Sequence, residues 1–172
     1  FAILIAGIDL SVGSVVALTG MMTAKMMVAG MHPVAAVILG VLLGAALGLI
    51  NGALVNVTGL HSFIITLGTQ AIFRGATLIV SNSSAVFGFP ASFTKSISAS
   101  VLGIPVIAIV AIIVALILAF LTIKTKLGRN IYALGGNKES AWYSGINVKL
   151  HTLIVFIISG LCAGIAGIVL LG

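Results

Sequence analysis

The sequence predicts an all-α membrane protein, a polytopic bundle of transmembrane helices. Three observations support this fold class. The 172-residue chain is 61% hydrophobic and only 6% charged, whereas a soluble domain carries about 25% charged residues. Its apolar stretches are about 20 residues long, the length that crosses a bilayer core of roughly 30 Å as a helix. They also lack the alternating polarity that the strands of a membrane β-barrel need.

Five membrane spans are expected, and one of them is interrupted. Four are continuous apolar stretches at 34–57, 61–80, 101–123 and 152–171, and the first, 1–24, is interrupted near Asp9. Residues 1–172 are expected to form a single transmembrane domain. Because the chain begins without Met and stops inside an apolar run, we also expect it to be a fragment truncated at both ends.

The basic residues predict the orientation. Five of the eight Lys and Arg residues lie within residues 124–149, which we call the basic loop: Lys124, Lys126, Arg129, Lys138 and Lys149. The positive-inside rule places this loop in the cytoplasm, so the net charge of +6 reflects topology and does not indicate a nucleic-acid partner. The stretch 81–100 is then outside, either as a simple loop or as short pieces that line an outer vestibule.

Two predicted spans carry glycine at every fourth position. Residues with this spacing lie near one face of a helix, and glycines there let another backbone approach closely. The pattern predicts tight helix packing, and it also suits helices that slide during a transport cycle. We call these six residues the glycine seam: Gly40, Gly44, Gly48, Gly52, Gly160 and Gly164.

The stretch "GIDLSVGS" places one of only two acidic residues, Asp9, inside the first span. Its two glycines each weaken a helix by about 1 kcal/mol relative to alanine, and Ser11 and Ser14 offer hydroxyls to the backbone groups that a break sets free. Asp9 is predicted to be the N-cap of the segment that follows. Asp9 and Ser11 then either stabilise an interrupted helix or face a water-filled cavity that a substrate crosses.

Arg74 is a second charge inside a predicted span. It lies about 9 Å from the outer end of that span at 1.5 Å per residue. Charged residues at such depth are functional candidates. Arg74 can extend outward to the interface, or it can pair with an acid such as Asp9.

No residues are predicted to form a catalytic or metal site. His32, His61 and His151 lack the spacing of metal ligands and fall at span ends, where interfacial positions explain them. The glycine-rich phosphate loop that precedes Lys-Ser or Lys-Thr is missing from the sequence, so ATP binding by that motif is not expected.

The basic loop is predicted to contain a short helix at 138–144. Asn137 is a good N-cap, and Glu139 in the first turn favours the helix dipole. Gly145 suits the left-handed position that closes a helix. Gly135 and Gly136 are expected to break the structure that precedes Asn137.

So short a helix is unstable alone and needs a surface on which to dock. It either lies on the membrane, with Trp142 and Tyr143 as interfacial anchors, or docks into a groove of a partner protein.

Two stretches together carry a resemblance to a known family. "GIDLSVGS" and the later "LGRNIYALGGNKESAWYSGINV" resemble the permease subunits of bacterial sugar ABC importers, most closely the ribose permeases. The resemblance covers essentially the whole chain, including "FRGATLI" around Arg74. Permeases for xylose, arabinose, galactosides, inositol and autoinducer-2 are similar, and those for nucleosides are related, so the solute is not identified.

The resemblance implies a pore subunit in the bacterial inner membrane, surrounded by lipid. Two permease copies, expected to be a homodimer, would form the pore. A cytoplasmic ATPase subunit would bind ATP, and a periplasmic binding protein would deliver the sugar. The chain itself would be no enzyme and would hold no cofactor.

The resemblance also implies roles for both stretches. The short helix becomes the coupling helix that docks on the ATPase, and this role falls to Gly135, Gly136, Asn137, Glu139, Ser144 and Gly145. The resemblance places Asp9 near the pathway, and we include Ser11 and Arg74 as pathway or gating candidates. The loop departs from the family pattern, because Lys138 directly follows Asn137 and Trp142 stands where an Arg is common.

Two other classes fit less well. An ion-coupled carrier could use Asp9 and Arg74, but it has no need for a coupling helix. An intramembrane serine protease could use Ser159, but all three His residues are near span ends.

Overall fold

The computed structural model describes residues 1–101 and 103–171. These residues form eight α-helices: α1 Val12–Val28, α2 Pro33–Thr58, α3 Ser62–Ser81, α4 Ala91–Ile97, α5 Val106–Lys124, α6 Lys126–Gly136, α7 Lys138–Tyr143 and α8 Val148–Val169. A 3₁₀ helix, Ala2–Ile5, comes first, and a small antiparallel hairpin of β1 Ser100–Val101 and β2 Ile104–Pro105 precedes α5. The all-α helical bundle is confirmed.

Four of the helices are long and apolar enough to cross a membrane: α2, α3, α5 and α8. The predicted break in the first span is also confirmed. After the 3₁₀ helix, Ala6 takes a left-handed φ of 55°, residues 7–10 are irregular, and α1 begins only at Val12. α1 has 17 residues, which is about 25 Å of helix, and it ends four residues beyond the predicted boundary.

Two span boundaries differ from the prediction. α5 begins at Val106 instead of 101, because the hairpin occupies the residues before it. α8 begins at Val148 instead of 152, because Asn147 caps it by accepting a hydrogen bond from the Leu150 amide at 3.0 Å. Leu102, within the predicted span 101–123, and Gly172, the last residue of the predicted domain, lie outside the described residues.

The outer stretch 81–100 is more than a simple loop, because it contains α4. This helix buries Phe93 against Met27, Ala36 and Ile168, which belong to α1, α2 and α8. The packing fixes α4 at the end of the bundle opposite the basic loop.

The basic loop contains a helix, α6, that was not predicted. Thr125 caps it by accepting from the Gly128 amide at 3.3 Å. Its buried residues are three apart, Gly128, Ile131 and Leu134, and such spacing lines one face of a helix. The predicted break at Gly135 and Gly136 agrees with the structure, because α6 ends at Gly136, directly before Asn137, although both glycines still lie in its last turn.

The short helix in the basic loop is confirmed as α7, Lys138–Tyr143. The Asn137 side chain caps it by accepting from the Ser140 amide at 2.9 Å, and Glu139 lies in its first turn. Gly145 has a φ of +80°, the left-handed value expected after the helix end.

The most extensive contact in the bundle joins α2 and α8. The glycine seam lies along this contact, and its backbones touch. A Cβ on Gly44 would collide with the Gly160 carbonyl, and one on Gly48 would collide with the Phe156 carbonyl. The seam therefore tolerates no side chain at its centre.

α1 joins this pair on one side and packs against α3 on the other. α1 meets α8 through glycine as well, since a Cβ on Gly20 would lie 2.8 Å from the Gly167 carbonyl oxygen. α5 is peripheral: in the described part of the chain it has no buried residue. The bundle core is therefore formed by α1, α2, α3 and α8.

Candidate functional site

The irregular segment before α1 is held by hydroxyls of α3. The Ile8 amide donates to Ser62 Oγ at 3.0 Å, and the Leu10 amide donates to Thr66 Oγ1 at 3.1 Å. Thr66 Oγ1 also donates to the Ile8 carbonyl at 3.1 Å. In a membrane every backbone polar group needs a partner inside the protein, and these two side chains supply the partners that a helix would otherwise provide.

Ser62 and Thr66 were not predicted to have this role, which was expected of Ser11 and Ser14. The available signal was a pair of hydroxyls four residues apart at the start of a span. The approach also needs Gly7, because a Cβ there would lie 2.9 Å from Ser62 Oγ.

Asp9 binds hydroxyls and an amide with both carboxylate oxygens. Its Oδ1 accepts from the Ser11 amide at 3.0 Å and from Ser11 Oγ at 2.7 Å. Its Oδ2 accepts from Ser159 Oγ of α8 at 2.8 Å. The predicted N-cap is wrong by two residues, because Ser11 is the N-cap of α1 and Asp9 instead forms a local turn with the Ser11 amide.

Asn51 extends this network into α2. Its Nδ2 donates to Ser11 Oγ at 2.7 Å, and both residues are at most 1% exposed. We call Asp9, Ser11, Asn51 and Ser159 the polar cluster. It joins the break, α2 and α8 by three side-chain hydrogen bonds.

The polar cluster is not fully satisfied. Among the described residues, Asn51 Oδ1 has no hydrogen-bond donor although it is buried. A buried acceptor without a donor costs about 1–3 kcal/mol. Polar groups at helix breaks of this kind are the expected lining of a pathway, and a cluster with an unsatisfied member can exchange partners during a conformational change.

Arg74 is exposed and lies apart from Asp9. Both Asp9 oxygens are occupied by the polar cluster, and within residues 1–101 and 103–171 the two charges form no ion pair. Arg74 instead lines a groove between α1 and α3. We call this the α1–α3 groove; Gly13 and Ser14 line its α1 side, and Gln70, Ala71 and Arg74 line its α3 side.

The basic loop rests on the bundle and exposes its aromatic residues. Ala141 of α7 is buried against a cluster that includes Ile131 of α6 and Phe156 of α8. Trp142 and Tyr143 are 63% and 81% exposed, and their rings meet edge to face with centroids 5.0 Å apart. All five basic residues of the loop are exposed as well. This surface can receive another protein or a lipid headgroup layer.

The predicted coupling residues have different surroundings. Gly135 packs against the N-terminal 3₁₀ helix, where a Cβ would collide with the Leu4 carbonyl, whereas Gly136 faces open space. Asn137, Glu139, Ser144 and Gly145 are exposed along α7 and its ends. These four residues and Gly136 are therefore accessible without disturbing the packing of the bundle, whereas Gly135 is not.

The prediction that His151 lies at the membrane interface is wrong, because its side chain is buried. Its Nδ1 lies 2.7 Å from the Asn147 carbonyl oxygen, and its Nε2 lies 3.0 Å from Asn130 Nδ2. Because a carbonyl only accepts, we infer that Nδ1 carries the proton and Nε2 accepts from Asn130. This pair fastens α6 to the first turn of α8.

Several apolar spans around an interrupted helix, with a polar cluster inside the bundle, define a polytopic α-helical membrane protein. The chain belongs to the family described as the permease component of the branched-chain amino acid transport system, whose model matches residues 1–171. It is a multi-pass inner-membrane protein.

Individual relatives support the resemblance to sugar ABC permeases. The chain is 66% identical to the D-allose transport system permease of Escherichia coli (strain K12) over 98% of its length and 52% of the relative. It is 41% identical to the ribose import permease of Bacillus subtilis (strain 168), covering 99% of the chain and 53% of the relative. It is 34% identical to an autoinducer 2 import permease of Yersinia enterocolitica, covering 95% and 51%.

The chain therefore spans about half the length of the curated relatives that it matches. No solved structure matches it. The resemblance to sugar ABC permeases is confirmed at the level of the family.

Proposed function

We propose that this chain is part of the pore-forming permease subunit of an ATP-driven importer that carries a monosaccharide into the cytoplasm. The observation that carries the proposal is α7, a capped helix with an exposed aromatic side, in a chain 66% identical to a D-allose transport permease. The proposed role of this chain is to form the passage for the sugar and to couple to the ATPase. A partner subunit would hydrolyse ATP.

The sequence identities to the relatives favour one solute over the others. The sequence alone favours a ribose-like solute, but 66% identity to the D-allose permease against 41% to a ribose permease favours D-allose or a close aldose. Autoinducer-2 is the alternative small solute, at 34% identity.

The proposed partners follow from the same relatives. A cytoplasmic ATPase subunit would dock on the basic loop through Asn137, Glu139, Ser144 and Gly145, with Gly135 and Gly136 supporting α7 from the end of α6. A second permease copy would complete the pore, and a periplasmic binding protein would deliver the sugar. Lipid would surround the peripheral α5.

The geometry offers a route from α7 to the break. α7 is fixed to α8 through the buried Ala141 and through the short connection that ends at Asn147. Ser159 lies about 16 Å along α8 from its first residue and holds Asp9. A displacement of α7 would move α8 along the glycine seam and strain the Ser159–Asp9 hydrogen bond, which makes Asp9 and Ser11 the proposed gating residues.

The test is transport by the complete natural protein that contains this chain, in proteoliposomes with its ATPase and binding protein. Labelled D-allose, D-ribose and other sugars are supplied outside and ATP inside. We expect ATP-dependent uptake of one aldose. Uptake that stops when the ion gradient is dissipated, and that persists without the ATPase, would instead support an ion-coupled carrier.

The docking role of α7 has a matched test. Replacing Trp142 and Tyr143 together by alanine should lower recovery of the ATPase with the permease, and uptake with it. Phe87 is as exposed as Tyr143, at 81%, but lies in the outer stretch, so Phe87→Ala should leave ATPase recovery unchanged. Equal recovery with all variants would contradict docking through α7.

A further inference from the structure

α3 carries polar residues on two adjacent faces. Its buried face carries the hydroxyls of Ser62, Thr66, Thr69, Thr77 and Ser81. Its other face carries Leu67, Gln70, Ala71 and Arg74, all exposed. Their spacing of three and four residues places them in one row along the helix. α3 also has the lowest mean hydropathy of the four long spans.

This second face is poorly suited to lipid. Gln70 lies about 12 Å from the inner end of α3 and about 16 Å from the outer end, at 1.5 Å per residue. Its side chain is too short to reach either interface from there. Polar and charged side chains at such depth face the interior of a bundle or a water-filled cavity.

The α1–α3 groove provides such a cavity. Its inner part has a volume of about 600 Å³, and an adjoining part of about 400 Å³ shares Gly13 and Arg74 and extends to Phe89 and Leu171 near the outer end. The groove is open at Gly13, because a Cβ there would meet no atom of the described chain within 4 Å. Volumes of this order hold small-molecule ligands.

We propose that the α1–α3 groove is the surface that this chain offers to the solute, and that the solute is a neutral polyhydroxylated molecule. The inference rests on the proposed function and adds the contact residues to it. Arg74 offers donors only, whereas Gln70 and Ser14 both donate and accept, which matches the mixed demands of sugar hydroxyls. The apolar Leu67 and Met21 are available to the C–H faces of a sugar ring.

The charge of the groove narrows the solute class. Arg74 is the one charged residue that lines the described part of the groove. A cation would therefore meet repulsion without a balancing carboxylate. Amino sugars should be excluded where the neutral sugar of the same shape passes.

Thiol accessibility tests the groove without transport. Ala71 of the groove and Ala115 of α5 are both exposed, and each lies near the middle of its helix. Each is replaced by cysteine in the complete protein with Cys162, the only cysteine of this chain, replaced by alanine. A charged, membrane-impermeant thiol reagent should modify Ala71→Cys at least about tenfold faster than Ala115→Cys, because ions are strongly excluded from lipid.

The labelling results distinguish three possible surroundings of this face of α3. Protection of Ala71→Cys by the transported sugar, but not by a sugar that is not transported, supports solute contact. Equally slow modification of both cysteines means that lipid or the remainder of the complete protein covers the α3 face, and an Ala71→Cys disulfide between two copies means that it is a subunit interface. Either of the last two results overturns the proposal.

Transport variants test the named contacts. Arg74→Gln and Gln70→Leu should each slow ATP-dependent uptake by at least about tenfold, a typical effect of losing a hydrogen bond to a charged or buried group. Arg74→Gln should also reduce the difference in uptake rate between the neutral sugar and its amino analogue. Arg74→Lys should keep that difference in uptake rate. Unchanged rates and selectivity in both variants would overturn solute contact here.

The two proposals fail in different ways. If the unsubstituted protein shows no ATP-dependent uptake, the proposed function fails, whatever the labelling shows. If uptake is normal but Ala71→Cys behaves like Ala115→Cys, only the groove fails.

Discussion

Two glycines on the same side of α1, seven residues apart, have opposite surroundings. A Cβ on Gly20 would lie 2.8 Å from the Gly167 carbonyl oxygen of α8, whereas a Cβ on Gly13, two turns earlier in the helix, would meet nothing within 4 Å in the described chain. The same residue type thus lies against a backbone at one level of the helix and beside open space at another. A glycine in a membrane helix indicates either contact between backbones or free space, and the sequence alone does not distinguish them.

The exposed surfaces of α3 and α5 show a second contrast. Both are largely exposed in this chain, but the residues that α5 exposes before its terminal Lys124 are all apolar, whereas α3 exposes Gln70 and Arg74. Because lipid favours the first surface and penalises the second, equal exposure indicates two different neighbours. We infer lipid beside α5 and water or protein beside this face of α3.

The largest effect is expected where a side chain is forced into the glycine seam. Gly48→Leu places a side chain against the Phe156 carbonyl and within 3.2 Å of the Gly160 Cα. Overpacking typically costs 1–3 kcal/mol, and a collision with backbone should reach about 3 kcal/mol or more. We expect loss of folded protein, measured as the monodisperse fraction in detergent by size-exclusion chromatography.

Gly68→Leu on α3 is the matched control for that experiment. Gly68 is exposed, and a Cβ there has open space within 4 Å of the described chain. It should fold normally. If Gly48→Leu folds as well as Gly68→Leu, the close contact of α2 and α8 is wrong.

An intermediate effect is expected in the polar cluster, which lies between the seam and the groove. Ser11→Ala removes the hydrogen-bond acceptor of Asn51 Nδ2, and Asn51 Oδ1 already has no donor among the described residues. A buried amide without partners should cost about 1–3 kcal/mol. Thermal unfolding in detergent, followed by circular dichroism, measures the loss.

Ser159→Ala provides the comparison within the cluster. It removes one donor from Asp9, which is half-exposed and can bind water instead, so the loss should stay below about 1 kcal/mol. A larger loss for Ser159→Ala than for Ser11→Ala would show that the α8 contact, and not the buried amide, dominates the stability of the cluster.

The sequence predicted the features that depend on the spacing of nearby residues in the chain. The glycine seam and the cap of α7 at Asn137 were visible because their partners are fixed by helix period or lie three residues away. The partners of Asp9 were not, since Ser159 is 150 residues distant and any serine in an apolar span gives the same signal. α6 was missed because a charged, amphipathic helix of 11 residues has none of the length that identifies a span.

The smallest expected effect, that of Gly13→Ala, gives the sharpest test of the comparison on α1, because the stability changes at Gly13 and Gly20 should differ in sign. Gly20→Ala brings a methyl group 2.8 Å from the Gly167 carbonyl oxygen, so the helices must separate and the protein should lose about 1–3 kcal/mol of stability. Gly13→Ala meets open space, and alanine in place of glycine should stabilise the helix by up to about 1 kcal/mol. Thermal unfolding of Gly20→Ala and Gly13→Ala under the same conditions measures the sign of each stability change. A loss of similar size in both would mean that Gly13 is also packed against a backbone, as it would be if a second copy filled the α1–α3 groove. A gain at Gly13 with a loss at Gly20 would leave the groove open to water and solute, since only an unoccupied surface accepts the extra methyl group without a collision.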